Sequence, residues 1–555
     1  MGLGDQFAAI FGAIRTLLSL TSRYRQLLRR ASAAPGLPGL ESTEPYWLRD
    51  PPFPDLTTVR DPLPSTADVV IIGSGIAAAA TAHAALELEP DLRVVVVEAR
   101  QLCSGATGRN GGHVKVVPHE ELARLARRYG HQTARRLVRF QLMHLPALLR
   151  LGARYPEAEV REVETTDFFL DVEDLETARR HVEAMRPWLP DVDATVLEGE
   201  EARCKAMLII TFHSLTRSYH PAPSRCPSPQ TGAGPMVVGA VSYKAGALWP
   251  YRLVTAVWNE LRTRHADNLS IRTLTPVEAV EDDGSSLLVR CGNGAGTISA
   301  RNVVHATNAF ASQLVPALRG RLTGVIGHMT AQRPCGPTFP SETRGLRSWS
   351  VIYPSSEGFD YATQRPDRDD GSPGDVMLGG GLFRSRDGGL DQMGVWDDSR
   401  LDVFPLMHLR GSLSAVFQPG GGGGGDGGDG GDGNGAFSAE AGAAWSGIMG
   451  FTGDSLPLVG RLPERRRGKK KGGRRRRRRQ WVVAGFNGEG MVWAWLCGAA
   501  VGVMLVDRED EALPPGEGGR PGGKLAEWFP LEELAVDKKR LRRAELRNLA
   551  EEVLT

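Results

Sequence analysis

The sequence predicts an α/β fold with more than one domain, and three observations carry the prediction. "DVVIIGSGIAAAATAHAAL" followed by "VVVVEAR" has the order of strand, glycine turn, helix and second strand. Near the other end of the chain, "WVVAGFNGEGMVWAWLCGAAVGVML" repeats the grammar of strand, glycine turn and helix. The chain has 555 residues, 41% of them hydrophobic, enough for a large core divided among domains.

The N-terminal stretch "QFAAIFGAIRTLLSLTSRYRQLLRR" comes first and raises the question of a membrane. Its uncharged run between Asp5 and Arg15 falls short of the roughly 18 residues a spanning helix needs. Asp5 and the lack of an initial basic cluster also argue against a secretory signal. Phe7, Ile10, Phe11, Ile14, Leu17 and Leu18 fall on one helical face, so the expectation is a helix packed on the protein's own surface. A mitochondrial presequence or a membrane-surface helix are the alternatives.

In the first repeat, Val69–Ile72 is an apolar, β-branched run suited to a strand buried on both faces. Gly73 and Gly75 turn the chain. Ile76–Leu88 is alanine-rich and free of Gly and Pro, so it is expected to be a helix whose first-turn N–H groups point back at the turn. Val94–Val97 supplies the second strand and ends in Glu98, where a ribose hydroxyl would need an acceptor. Ala78 replaces the third glycine of the G-x-G-x-x-G pattern, an accepted variant. This unit is expected to bind a dinucleotide. Immediately after it, "CSGATGRNGGHV" (Cys103–Val114) sets Gly105, Gly108, Gly111 and Gly112 among small polar residues, a backbone able to approach a flat or anionic ligand closely. Arg109 is expected to supply charge for phosphate.

Three stretches break the globular pattern and are expected to be looped out. "SLTRSYHPAPSRCPSPQTGAGP" (Ser214–Pro235) is rich in Pro and Ser, and "GGGGGGDGGDGGDGNG" (Gly420–Gly435) is a flexible linker. "RRRGKKKGGRRRRRR" (Arg465–Arg479) carries twelve positive charges. Removing those twelve from a net charge of +2 leaves the rest of the chain at −10, which argues against a broad nucleic-acid surface. The six cysteines form no C-x-x-C pair, which excludes a disulfide scaffold and the usual zinc spacings. No metal site is expected. In the second repeat, Trp481–Ala484 is expected to be a strand, Gly485–Gly490 a turn and Met491–Leu505 an apolar helix whose N-terminus faces a second part of the ligand.

The order of these motifs, with "AGALWPYRLV", "VVHATNAFASQLVP", "GIMGFTGDSLPLVGRLP" and "AGFNGEGM" between and after them, resembles the D-amino-acid oxidase-like FAD-dependent oxidoreductases. It is most similar to the branch holding γ-glutamylputrescine oxidoreductase and fungal relatives. The resemblance covers roughly Ala67–Val506. It implies a Rossmann-like FAD-binding domain built from discontinuous segments, with a mixed sheet-and-helix substrate domain over the flavin. The implied FAD-binding segments are 61–118, 241–320 and 441–510. Substrate-domain segments at 119–240 and 321–440 alternate with them, between an N-terminal extension at 1–60 and a C-terminal tail and helix at 511–555.

By position, the resemblance implies that Gly73, Ser74, Gly75 and Ile76 meet the pyrophosphate, Glu98 the adenosine ribose, and Arg100 the neighbourhood of the adenine. Thr107, Gly108, Arg109, Asn110, Gly111, Gly112 and His113 are implied along the pyrophosphate, ribityl chain and isoalloxazine. Val277 is implied to pair with adenine through its backbone, and Ala306 and Thr307 to approach the pyrophosphate from its second side. Gly485, Phe486, Asn487, Gly488, Glu489, Gly490 and Met491 are implied around the pyrimidine edge of the flavin. Glu489 departs from relatives that carry His there, which leaves the turn intact but not any role of that His.

The resemblance implies oxidation of a C–N bond in a small-molecule amine or amino acid, by hydride transfer to flavin N5, to an imine that water hydrolyses. Oxygen is the expected electron acceptor and the cytoplasm the expected location, with no specific nucleic acid and no transmembrane segment. Arg252, Tyr361, His328 and Lys115 are candidates for substrate contact, and none is assigned a catalytic role. The alternative is a flavoprotein with an interaction role, or an inactive homologue, whose basic loop binds an anionic partner.

Overall fold

The computed structural model describes residues 21–199, 201–202, 232–233, 236–335, 343–354, 358–418, 438–463 and 479–548. The apolar face from Phe7 to Leu18, the Gly420–Gly435 linker and the basic block up to residue 478 lie outside the described residues. So does the Ser214–Pro235 stretch, apart from Gly232–Ala233, which pairs with Phe417–Gln418.

The first repeat folds as its residues dictate. Strand β1 spans Thr66–Ile72, helix α1 Ile76–Leu88 and strand β2 Val94–Val97. All four valines of β2 are buried, as are Val69–Ile72 of β1, which fits strands covered on both faces. The alanines of α1 are small because a second helix, Ala494–Leu505, lies against it. A methyl group on Gly498 would stand 2.4 Å from Ala77 O and 2.8 Å from Ala80 Cβ. Both helices are apolar around their whole circumference, so the pair forms part of the core and not a surface layer.

The first sheet runs in the order Leu458–Arg461, Arg479–Ala484, Gly296–His305, β1, β2 and Leu269–Arg272. Five of these six strands are parallel, and in this order only Leu458–Arg461 is antiparallel to its neighbour. Val277–Asp282 and Leu287–Cys291 extend it as an antiparallel meander. Register places Ile72 beside both Val97 and His305. The chain therefore leaves three adjacent strands at one edge, into Gly73, Glu98 and Ala306. Ligands of open parallel sheets bind at such carboxyl ends.

The second sheet has nine strands. From Ser438–Thr452 it passes through Leu322–Cys335, Val376–Gly380, Phe359–Gln364, Arg347–Ile352, Arg161–Phe169 and Gly239–Ala247 to His113–Val114, with Ala194–Glu198 also on Gly239–Ala247. One face, with Phe168, Trp349 and Leu378, packs on helix Val403–Val416. The other, with Met329, Met377 and Trp445, joins the core that contains α1. Sheet membership crosses the expected segment borders. Gly239–Ala247 and Ser438–Thr452 belong to the second sheet although most of each was expected in the flavin domain, and His113–Val114 joins it from within the first segment. Long strands follow hydrogen-bond register across the borders that motifs suggest.

Candidate active site

At the edge where the three strands end, Gly73 has φ +103°, and a Cβ there would meet Ala306 O at 2.7 Å. Only glycine lets the turn pass this close to the residue after the third strand. Ala306 N donates to Ile72 O at 2.9 Å, which seats the Ala306–Thr307 step on the turn. Thr307 Oγ1 is buried there with no hydrogen-bond partner among the described residues. Gly75 needs its lack of a side chain too, since a Cβ would lie 2.9 Å from Thr107 Oγ1. That hydroxyl oxygen accepts from Ile76 N at 3.0 Å, at the start of α1.

Glu98 organises the same turn. One carboxylate oxygen accepts from Ser74 N at 3.0 Å and Ser74 Oγ at 2.8 Å, and the other from Arg100 N at 2.9 Å. A carboxylate has about four acceptor positions, so a ribose hydroxyl still finds one free. Ser74 Oγ in turn accepts from Cys103 N at 2.8 Å, and Trp258 Nε1 donates to Ser74 O at 2.8 Å. Val277 lies close by, because Thr275 N, two residues earlier, donates to Glu98 O at 2.8 Å.

The two arginines expected at the cofactor are committed elsewhere. Arg100 forms a two-pronged bond to Asp398, with contacts of 3.0 and 3.1 Å. Arg109 is 3% exposed, and its donors go to Ser104 O, Ser446 O, Thr43 O, Thr43 Oγ1 and Ser42 Oγ, with Asp398 at 3.4 Å. Burial lowers its pKa to about 10, against the pull of Asp398. Its guanidinium therefore pins the 103–114 segment to the second domain and has no donor left for phosphate. Arg100 likewise offers its backbone to Glu98 and not its side chain to adenine.

The remainder of 103–114 leads into strand His113–Val114 of the second sheet. Asn110 Nδ2 donates to Thr107 O at 2.9 Å, and Asn110 Oδ1 accepts from Gly112 N at 2.8 Å, which closes the bend through Gly111. Gly108 has no room for a side chain, with Cys103 O 2.6 Å from a Cβ position. A Cβ on Gly111 would meet Tyr361 Cε2 at 2.5 Å, so the Tyr361 ring lies on the bare backbone. His113 stacks on Tyr361 with centroids 6.1 Å apart, and its Nε2 is 3.0 Å from Ser348 Oγ. Burial, helped by Lys115, holds the His113 pKa well below the ordinary histidine range, so the ring is neutral.

The second glycine turn meets the same region. Gly485 has φ +78° and donates to Asn308 Oδ1 at 2.9 Å; Asn487, also left-handed at φ 53°, donates to Gly450 O at 2.7 Å. Phe486 is buried, Gly488 exposed at φ +83°. Met491 Sδ accepts from Asn110 Nδ2 at 3.7 Å, joining the two glycine segments. A short 3-10 turn, Gly490–Val492, precedes the helix, which begins at Ala494 and not at Met491. One first-turn donor is already taken: Leu496 N donates to His144 Nε2 at 3.2 Å, while His144 Nδ1 donates to Phe140 O. Burial pushes the His144 pKa down to about 4, which matches a ring that accepts at Nε2.

Of the substrate candidates, Tyr361 stands at the site. Lys115 is near it, ion-paired to Asp167 and donating to Ser350 Oγ at 2.5 Å; Tyr243 donates to the other Asp167 oxygen. This pair was not expected, since Asp167 has no motif and lies 52 residues along the chain from Lys115. His328 Nε2 accepts from Asp402 N at 2.9 Å, which commits that nitrogen to the backbone ahead of helix Val403–Val416. Arg252 lies over Trp249 at 3.7 Å and pairs with Asp50, a packing role at the start of helix Pro250–Arg264.

The residues fit a dinucleotide. Two turns admit only glycine, Thr307 Oγ1 is orphaned beside the first of them, and a carboxylate with spare acceptor capacity ends β2. The family model described as FAD dependent oxidoreductase, DAO, matches residues 68–504. No curated protein matches the chain in sequence. Among solved structures, glycine oxidase from Geobacillus kaustophilus is similar with a TM-score of 0.57 at 18% identity, over 86% of this chain and 99% of that one. L-proline dehydrogenase from P. horikoshii gives 0.53 at 18% identity over 86% and 100%. L-amino acid deaminase from Proteus vulgaris, lacking its specific insertion, gives 0.54 at 15% over 89% and 99%. At these identities the likeness is one of fold.

Proposed function

The chain belongs to the FAD-dependent oxidoreductase family, and from that premise we propose that it oxidises the C–N bond of a small amine or amino acid to an imine. FAD is the cofactor. When bound it accepts the hydride equivalent from the substrate carbon. The reading rests above all on one arrangement: the Gly111 backbone, with His113 and Tyr361 over it, lies between the ends of the first sheet and the face of the second. The similar solved structures named for glycine, proline and amino-acid chemistry point to the same class of bond.

Under this reading, Gly73–Ile76, Glu98, Ala306 and Thr307 hold the adenosine and pyrophosphate part, and Gly108, Asn110–His113 and Gly485–Met491 the flavin part. His113 and Tyr361 line the substrate side. The substrate nitrogen arrives with its lone pair free, and that pair forms the C=N bond as the hydride leaves. A neutral His113 and an un-ionised Tyr361, whose pKa burial raises to about 12, place no charge against it. Oxygen then takes the electrons as hydrogen peroxide.

The test is direct. The purified protein is yellow, releases FAD on heating, and forms peroxide with a member of a panel of amines and amino acids. Recovery of nicotinamide alone refutes the cofactor. Reduction of an artificial dye without peroxide would replace oxygen by another acceptor, and a bound FAD that no panel member reduces would refute the C–N reading.

A further inference from the structure

We propose that Asp398 is a positioning residue that sets the spacing between the two ends of the FAD site, because one buried carboxylate holds both the segment that meets the adenosine and the segment that meets the flavin. The inference rests on the placement of FAD along Glu98 and Gly111–His113.

Each segment reaches the acid through one arginine. Arg100 follows Glu98 closely, its backbone N donates to a Glu98 carboxylate oxygen at 2.9 Å, and its Nη1 and Nη2 donate to Asp398 at 3.0 and 3.1 Å. Arg109 lies between Gly108 and Asn110 of the flavin segment, with its Nε 3.4 Å from Asp398 Oδ2. All three side chains are buried, and among the described residues neither arginine has another carboxylate partner. One acid thus answers two cations out of reach of water, and its removal leaves both uncompensated.

Asp398 is itself fixed to the second sheet. Its carbonyl oxygen accepts from Thr43 N at 2.8 Å and from Thr43 Oγ1 at 2.9 Å. The same Thr43 hydroxyl oxygen accepts from Ser446 N, on strand Ser438–Thr452, at 3.0 Å, and from Arg109 Nη1 at 3.1 Å. The network closes on itself. With both arginines on this anchored acid, the separation between Glu98 and Gly111–His113 is set by the second sheet and not by the loop that joins them.

FAD spans both ends of the site, whereas ADP matches its adenosine and pyrophosphate part alone. A ligand that bridges two contact regions gains when they are held at the right separation, and a ligand confined to one region does not. Loss of Asp398 should therefore tell on FAD and spare ADP. A loss of stability alone would lower both affinities in the same proportion, through the fraction of competent chain.

The experiment titrates the full-length apoprotein calorimetrically with FAD and with ADP, for the wild type, D398N and R100Q. D398N removes the charge between the two arginines. R100Q frees the adenosine-side segment while Arg109 keeps its acid, so it leaves no surplus buried cation. In both variants the FAD affinity should fall about 10- to 100-fold, as for lost hydrogen bonds to charged groups, and the ADP affinity no more than about 3-fold. Equal losses for the two ligands, or no loss for either, overturn the proposal while the wild type still binds FAD. If D398N does not fold, R100Q decides by the same ratio. A wild type that takes FAD but not ADP has no separate adenosine end to position, which also overturns it. One that binds neither overturns the placement of FAD, and the proposal with it.

Discussion

Glu98 does two jobs with one carboxylate. It caps the Ser74 turn from within and keeps acceptor capacity for a ribose hydroxyl. Glu98→Ala removes a charged acceptor, a loss of about 1.5–3 kcal/mol, and so should weaken FAD binding on the order of 10- to 100-fold. The variant should still fold, because the valines of β2 and the glycine turn keep their packing. Titration of the apoprotein with FAD and thermal melting of both apoproteins check this; an unchanged affinity would show that the acid serves the turn alone. Arg109 teaches the opposite lesson about single residues. A cation in a glycine-rich segment suggests phosphate, yet its charge answers Asp398 and its donors answer Thr43 and Ser446. Those partners are remote in sequence, so no local pattern announces them.

Elements were legible where they are local. β1, the first glycine turn, α1 and β2 occupy contiguous residues whose apolar runs and turn residues agree, and the expected helix Ile76–Leu88 has the same ends in the structure. The Gly485–Gly490 turn was legible for the same reason. The nine-stranded sheet was not: Leu322–Cys335 and Ser438–Thr452 pair along their length, but glycines and buried polar residues interrupt any alternation. Tyr361, Ser350 and Asp167 are brought side by side only by the pairing of Arg347–Ile352 with Phe359–Gln364 and with Arg161–Phe169. The helix pair offers a test at this scale. Gly498→Ala drives a methyl against Ala77 O, a backbone atom, and should cost about 1–3 kcal/mol. Gly411→Ala is the control, since that exposed helical glycine has nothing within 4 Å of a Cβ, and it should leave stability unchanged or raise it by up to about 1 kcal/mol. Melting temperatures of the two variants should therefore move apart, and equal values would mean that the two helices separate without cost.

For the whole molecule, the question is how a chain with a block of twelve positive charges keeps an acidic body and an intact flavin domain. The strands on either side of the block supply an answer. Leu458–Arg461 and Arg479–Ala484 are adjacent and antiparallel, with Arg461 opposite Trp481 and Leu462 N donating to Gln480 O at 2.8 Å. Pro463 and Arg479 therefore lie at the connected end of a hairpin, joined in sequence by residues 464–478. Loop-closure cost changes only slowly with length, so a short turn in their place should leave the hairpin paired and stability equal or slightly higher. Arg479 must stay, because it pairs with Asp507 and begins the strand that leads into Gly485. Deletion of 464–478 should preserve bound FAD per chain and the rate on any substrate found. Retention on heparin should drop, and the parent's retention should fall steeply with salt, as a cluster of this charge requires. FAD content, turnover and heparin elution of the two forms measure all three. A deletion that empties the flavin site would mean that the block supports the strand leading into Gly485, and that the charge is part of the fold.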